Sequence, residues 1–197
     1  MNRLTRSDLL SLEQYSEQRA DYRAQVMAHK KNRQVALGEH ARLYFEDRVT
    51  MQYQIQEILR IEKVFDAAGI EEELEAYNPL IPDGSNWKAT FMIEYEDEAE
   101  RRQALSQLIG IEKAIWVKVE GFDKVNPIAN EDLERETEDK TSSVHFLRFE
   151  LTAQMIEAAK SGAAISMGVD HTNYNAQTGA LPENIRQSLS DDLQVLH

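Results

Sequence analysis

The chain has 197 residues, no cysteine and a net charge of −13. The lack of cysteine excludes disulfides, thiolate nucleophiles and thiolate-ligated zinc or iron–sulfur centres. A composition of 42% hydrophobic and 29% charged residues is typical of a globular protein, and an acidic chain repels nucleic acid and anionic lipid. With no apolar run near 18 residues and no signal-peptide core, we expect no nucleic-acid partner, no membrane partner and a cytoplasmic location.

The first predicted helix runs from a cap at Thr5 or Ser7 to about Arg33. Three cations interrupt its apolar side: Arg19, Arg23 and Lys30. Two interpretations are open. Either the long side chains extend along the helix edge while their stems pack, or their charged groups meet polar residues of a facing helix.

Residues 34–46 alternate as a β-hairpin with Gly38 at its turn, and a second long helix is predicted from Asp47 to about Gly69. A short hairpin would make the two long helices antiparallel. The second helix has an apolar stripe that consists of Met51, Ile55, Ile58, Ile61 and Phe65, yet Gln54 and Glu62 fall within this stripe.

A buried carboxylate needs a partner, which favours contact between the polar residues of the two helices. The predicted buried polar network, or anion-binding pocket, consists of Arg19, Arg23, Lys30, Gln54 and Glu62.

A loop at 78–86, with two prolines and an Asp-Gly turn, predicts the boundary between a helical half (1–77) and a mixed α/β half (87–197) of a single domain, 1–197. The second half predicts a strand over 88–95, a helix stopped by Gly110 and a hairpin around Gly121. The acidic run 130–140 is typical of a solvated loop.

Two later strands end or begin at a histidine, His145 and His171, with a predicted helix between them. As antiparallel neighbours the strands would bring the histidines together, whereas as parallel strands they would hold them roughly 20 Å apart. In the first case a transition metal ion could bind both histidines and a carboxylate. The carboxylate candidates are Glu57, Glu62 and Asp170.

The common catalytic signatures are absent from the sequence. It contains neither G-x-G-x-x-G nor G-x-x-x-x-G-K-[ST], the two glycine-rich motifs that bind nucleotides. It also lacks the G-x-S-x-G nucleophile elbow and the H-E-x-x-H zinc motif, and no histidine follows a glutamate at a spacing of three. The sequence therefore indicates no particular enzyme class.

Four segments together resemble an uncharacterised bacterial family, domain of unknown function 3501. They are FEDRVTMQYQIQEILRIEKVF, ELEAYNPLIPDGSNWKATFMIEY, EDLERETEDKTSSVHFLRFEL and GVDHTNY. The resemblance extends over nearly the whole chain, including HKKNR at His29–Arg33, and implies no established activity. Members are encoded beside rubrerythrin-like proteins and iron–sulfur oxidoreductase subunits, which implies redox partners and a role in oxidative-stress metabolism.

We therefore expect an α+β fold in which two long antiparallel helices, joined by a short hairpin, pack with a mostly antiparallel sheet and three shorter helices. The expected function is that of an accessory or ligand-binding protein. The alternative is a mononuclear metal-binding protein or metalloenzyme. The long first helix is also a candidate homo-oligomer interface.

Overall fold

The computed structural model describes residues 3–137 and 139–195. Its helices are α1 (Leu12–Lys30), α2 (Arg48–Glu62), α3 (Ala67–Tyr77), α4 (Glu98–Gln107), α5 (Ile111–Ala114), α6 (Ala153–Lys160) and α7 (Glu183–Ser190). Its strands are β1 (Gln34–Ala36), β2 (Ala41–Phe45), β3 (Asn86–Ile93), β4 (Ile115–Val119), β5 (Ile128–Ala129), β6 (Val144–Glu150), β7 (Ile165–His171) and β8 (Tyr174–Gln177). Within the described ranges, no helix has the length and apolar character needed to cross a membrane.

The strands form two antiparallel sheets, so the fold is α+β as predicted. Strands β1-β2-β3-β6-β5 form one sheet and β4-β7-β8 form the other. Because β2 pairs with β1 on one side and with β3 on the other, the larger sheet joins the two halves that the sequence placed on either side of the loop at 78–86. The described residues contain five helices shorter than α1 and α2, two more than the predicted three.

The larger sheet has one apolar face and one polar face, because side chains alternate along each strand. On β3, Trp87, Ala89 and Phe91 are buried, whereas Lys88 and Thr90 point to the other side and are only partly buried. The apolar face and the smaller sheet contribute to one hydrophobic core. The polar face lies outside this core and faces the helical part of the chain.

Helices α1 and α2 are antiparallel, because later residues of α1 contact earlier residues of α2. Tyr22 stacks on Tyr53, with their ring centres 6.2 Å apart. His29, near the end of α1, contacts at 2.6 Å the carboxylate of Asp47, which caps the start of α2. A second, smaller apolar cluster joins α2 and α3 to the segment before α1, and includes Leu4, Ile55 and Leu74.

The predicted cap of the first helix is wrong. Thr5 caps only a short 3-10 turn, Arg6–Asp8, and α1 itself begins after Ser11, whose hydroxyl accepts a hydrogen bond from the backbone N–H of Gln14 at 3.2 Å. This Ser-x-x-Gln pair forms a capping box, which fixes the helix start.

The second helix begins where predicted, after Asp47, but it ends earlier. Lys63 adopts a left-handed conformation with φ of 56°, which terminates α2 at Glu62, well before Gly69. Ile61, within the last turn of α2, is 63% exposed and Phe65, beyond the helix, is 80% exposed, so the predicted apolar stripe is wrong at both positions.

Candidate functional site

A cavity of about 550 Å³ lies between the polar face of the larger sheet and the end of α3. Its walls come from four parts of the chain: the α3 end with the following 3-10 turn, Glu46 between β2 and α2, strands β3 and β6, and the loop after β5. Its apolar and aromatic lining residues include Tyr77, Leu80 and Phe146. A volume of this size is in the range that holds a small organic ligand.

Lys88 is the cationic side chain of the cavity that is not engaged with a carboxylate. Its ammonium donates a hydrogen bond of 2.6 Å to the carbonyl oxygen of Pro79. Among residues 3–137 and 139–195, Lys88 takes part in none of the ion pairs, whereas Arg148 in the same wall pairs with Glu131 at 2.7 Å. Since a lysine ammonium has three N–H donors, two remain available to a ligand.

Burial lowers the pKa of Lys88 below its ordinary value, because the charged form loses contact with water. The neighbouring Arg148 lowers this pKa further, while Asp83, Glu131 and Glu150 oppose the change. Lys88 therefore loses its proton more readily than an exposed lysine does.

Two of the four acidic residues around the cavity accept hydrogen bonds from side chains of the cavity and its surroundings. The Glu46 carboxylate accepts hydrogen bonds from the hydroxyls of Thr50 and Thr90, at 2.6 and 2.8 Å. Glu131 receives two hydrogen bonds from Arg148, at 2.8 and 2.7 Å, and these lower the pKa of its carboxyl group.

The other two acids lie at the rim. Asp132 pairs with Arg135, and Glu75 is exposed. The cavity thus offers a ligand an apolar interior, one cationic donor and a negatively charged surround.

The polar network predicted between the two long helices is different in the structure. Arg19 meets Glu57, with its Nε and Nη2 donating at 2.7 and 2.9 Å to the two carboxylate oxygens. The Tyr15 hydroxyl donates to Glu57 at 2.7 Å and Arg60 donates at 3.2 Å. The hydrogen bonds, chiefly that from Arg19, lower the pKa of Glu57 to about 2.

The remaining residues of that predicted network do not join it. Glu62 and Arg23 are exposed, so the prediction that Glu62 is buried is wrong. Gln54 lies near Tyr77, and the Lys30 ammonium lies 5.5 Å from the centre of the Tyr53 ring. Glu57 is the carboxylate between the helices, because α2 presents a different face to α1 than its wheel indicated.

The two histidines of the predicted metal site lie in different sheets, His145 on β6 and His171 on β7. Both alternatives from the sequence, antiparallel neighbours and parallel strands of one sheet, are therefore wrong. Two of the carboxylate candidates are engaged elsewhere, since Glu57 binds Arg19 and Asp170 pairs with Lys124 at 2.7 Å, and the third, Glu62, is exposed. Across the part of the chain that is described, no group of three His, Asp or Glu side chains is placed to hold a metal ion.

His145 is completely buried, and its ring nitrogens are occupied by protein groups. Asn130 donates to Nδ1 at 2.9 Å and the Nε2 N–H donates to the carbonyl oxygen of Ser142 at 3.0 Å. Burial lowers the pKa of His145, with Glu112 opposing this change. His171 likewise donates to the carbonyl oxygen of Ile109, at 3.0 Å.

Sequence reasoning missed the cavity residues Lys88, Glu46 and Phe146. The strand pattern did contain a signal for Lys88, because its neighbour Ala89 falls on the predicted apolar face and Lys88 therefore on the other. That pattern alone does not separate a lysine in a cavity from one in solvent.

The family model for proteins of unknown function, DUF3501, matches residues 3–193. The chain is also similar to the crystal structure of a novel protein of unknown function from Burkholderia pseudomallei K96243. The two share 52% sequence identity over 98% of this chain and 100% of that one, with a TM-score of 0.93. A search of curated proteins gives no match. The chain belongs to the DUF3501 family.

Proposed function

We propose that this member of the DUF3501 family binds a small, uncharged and mainly apolar molecule through a carbonyl oxygen that accepts a hydrogen bond from Lys88. The observation that carries the proposal is the half-buried Lys88 ammonium in the cavity wall. It is bonded to the Pro79 carbonyl oxygen and, within the described residues, is in no ion pair. A half-buried cation with unused donors can form a charge-assisted hydrogen bond to a ligand oxygen.

The charges around the cavity favour an uncharged ligand over an anion. Four carboxylates line it, those of Glu46, Glu75, Glu131 and Asp132, against the cations Lys88 and Arg148. Because Arg148 is already paired with Glu131, the surround repels an incoming carboxylate. A carbonyl oxygen accepts from Lys88 without this repulsion.

The walls also indicate the body of the ligand. Tyr77 and Phe146 supply aromatic surface, and Leu80 and Pro79 supply aliphatic surface. Aromatic rings pack favourably against such surfaces. A phenyl ring joined to a carbonyl group by a short chain is therefore a suitable probe.

Calorimetry with two matched probes tests the proposal. We expect 3-phenylpropanamide, which is neutral, to bind more tightly than 3-phenylpropanoate, which has the same skeleton and a negative charge. In Lys88→Met the apolar stem stays and the donor is lost, so the Kd for the amide should rise by about tenfold or more, as for loss of a hydrogen bond to a charged group.

The exposed Lys31 supplies the matched control, and Lys31→Met should leave the Kd for the amide unchanged. Absence of amide binding would contradict the proposal, and so would equal Kd values in the wild type and Lys88→Met. Tighter binding of 3-phenylpropanoate than of the amide would contradict the uncharged ligand.

We also propose an accessory role in redox metabolism, which the family resemblance implies. In this role the protein would associate with rubrerythrin-like proteins or iron–sulfur oxidoreductase subunits. Isolation of the tagged protein from its own cells, followed by mass spectrometry of co-purifying proteins, tests that association. Enrichment of such proteins over a tag-only control is the expected result, and equal recovery in both samples would contradict it.

A further inference from the structure

We infer that Lys88 reacts with an aldehyde ligand in this cavity to form a reversible imine. The inference rests on the proposed function and deepens it, because it names the ligand class as an aldehyde and the bond as covalent.

The position of Lys88 suits this reaction. An aldehyde held in the cavity with its oxygen beside Nζ has its carbonyl carbon one bond further from the nitrogen, so a rotation of the carbonyl group presents that carbon for attack once the amine is neutral. Lys88 has no carboxylate partner among the described residues, so its ammonium loses a proton without breaking an ion pair. Burial also favours the neutral, nucleophilic amine by lowering the pKa of Lys88.

Other lysines of the chain lack this combination. Lys124 pairs with Asp170 at 2.7 Å, and Lys113 lies 3.6 Å from Glu112. Each of these contacts with a carboxylate stabilises the charged form more than the single hydrogen bond from Lys88 to the Pro79 carbonyl oxygen does.

Water carries the proton in this reaction. It accepts one proton from the Lys88 ammonium, and the nitrogen lone pair then forms a C–N bond to the aldehyde carbon. A proton moves from nitrogen to oxygen, and water then returns the first proton to the resulting hydroxyl group.

The hydroxyl group then leaves as water while the C–N double bond forms. One ammonium and one aldehyde thus yield one protonated imine and one water, and the proton first given to water has been returned. No oxidant or reductant takes part.

Reductive trapping tests the inference. The protein is treated at pH 7 with 3-phenylpropanal and cyanoborohydride, which reduces an imine to a stable secondary amine, and each lysine is followed by peptide mass spectrometry. Lys88 should be modified at least about tenfold faster than the exposed Lys31, because the cavity holds the aldehyde beside it. Excess 3-phenylpropanamide should slow modification of Lys88 and leave that of Lys31 unchanged.

Lys88→Arg separates the two proposals, because arginine keeps a cationic donor and forms no such imine. We expect this variant to bind 3-phenylpropanamide and to lose the fast modification. Equal rates at Lys88 and Lys31 in a wild type that binds the amide would overturn the imine alone. Failure of the wild type to bind the amide would instead overturn the proposed function.

Discussion

Replacement of Glu57 by glutamine should destabilise the protein, because this carboxylate links α1 to α2. Arg19, Tyr15 and Arg60 all donate to it, and only 14% of its side chain is exposed. A pKa lowered from 4.5 to about 2 corresponds to about 3 kcal/mol of stability at neutral pH if it is fully expressed. Since 36% of the Arg19 side chain is exposed, solvent screening reduces this, and we expect a loss of about 1–2 kcal/mol.

The pH dependence of stability follows from the sign of the same pKa change. The folded state holds Glu57 ionised below the pKa of the unfolded chain, so its contribution is present above about pH 4.5 and is lost as the pH falls toward 2. Urea unfolding of the wild type and Glu57→Gln at several pH values measures this. The difference between their free energies of unfolding should shrink as the pH is lowered from 5 to 2.5.

The exposed Glu62 provides the matched control. Glu62→Gln should change the free energy of unfolding by no more than about 0.5 kcal/mol, as for most surface substitutions. A larger loss in Glu62→Gln than in Glu57→Gln would refute the assignment of Glu57 as the carboxylate between the helices.

Three further substitutions test other parts of the fold. Gly168→Ala should cost about 1–3 kcal/mol in urea unfolding, because the new methyl group would overlap the Trp116 ring; an unchanged midpoint would contradict that packing. Arg33→Lys should lower the free energy of unfolding in urea by about 2–4 kcal/mol. Arg33 is 2% exposed and donates hydrogen bonds to Asp192, at 2.6 Å, and to backbone carbonyl oxygens, and a lysine cannot make all of these contacts. Burial lowers the pKa of His145, so wild-type stability should fall as the pH drops from about 7 to 5, and this slope should be smaller in His145→Asn; identical slopes would contradict a buried, neutral histidine.

Elements governed by local rules could be predicted from the sequence. The alternation of His145, Leu147 and Phe149 gave the buried face of β6, and Asp47 gave the start of α2 through its hydrogen bond to the Thr50 N–H. The end of α2 could not be predicted in the same way, because it depends on a left-handed Lys63, a conformation that lysine rarely adopts.

Positions that depend on distant partners were not predictable. Gln56 falls on the polar side of its helical wheel but is buried, because its side chain hydrogen-bonds the backbone N–H and carbonyl of Leu10 at 2.6 and 3.3 Å. Likewise His145 and His171 each fit a buried strand, yet strand periodicity does not say which sheet a strand joins.

The cavity was beyond sequence reasoning for a related reason. Lys88, Tyr77, Glu131 and Glu46 come from separate elements, and only the packing of α3 beside β3 and β6 brings them together. Sequence patterns report the period of one element at a time, whereas a cavity is defined by the gap between several.

A crystal structure of the protein with 3-phenylpropanamide tests the central proposal most directly. We expect the phenyl ring between Tyr77 and Phe146, with the amide oxygen about 2.7–3.2 Å from the Lys88 Nζ atom. A ligand bound elsewhere on the surface, or a cavity filled by solvent at saturating ligand, would contradict the proposal.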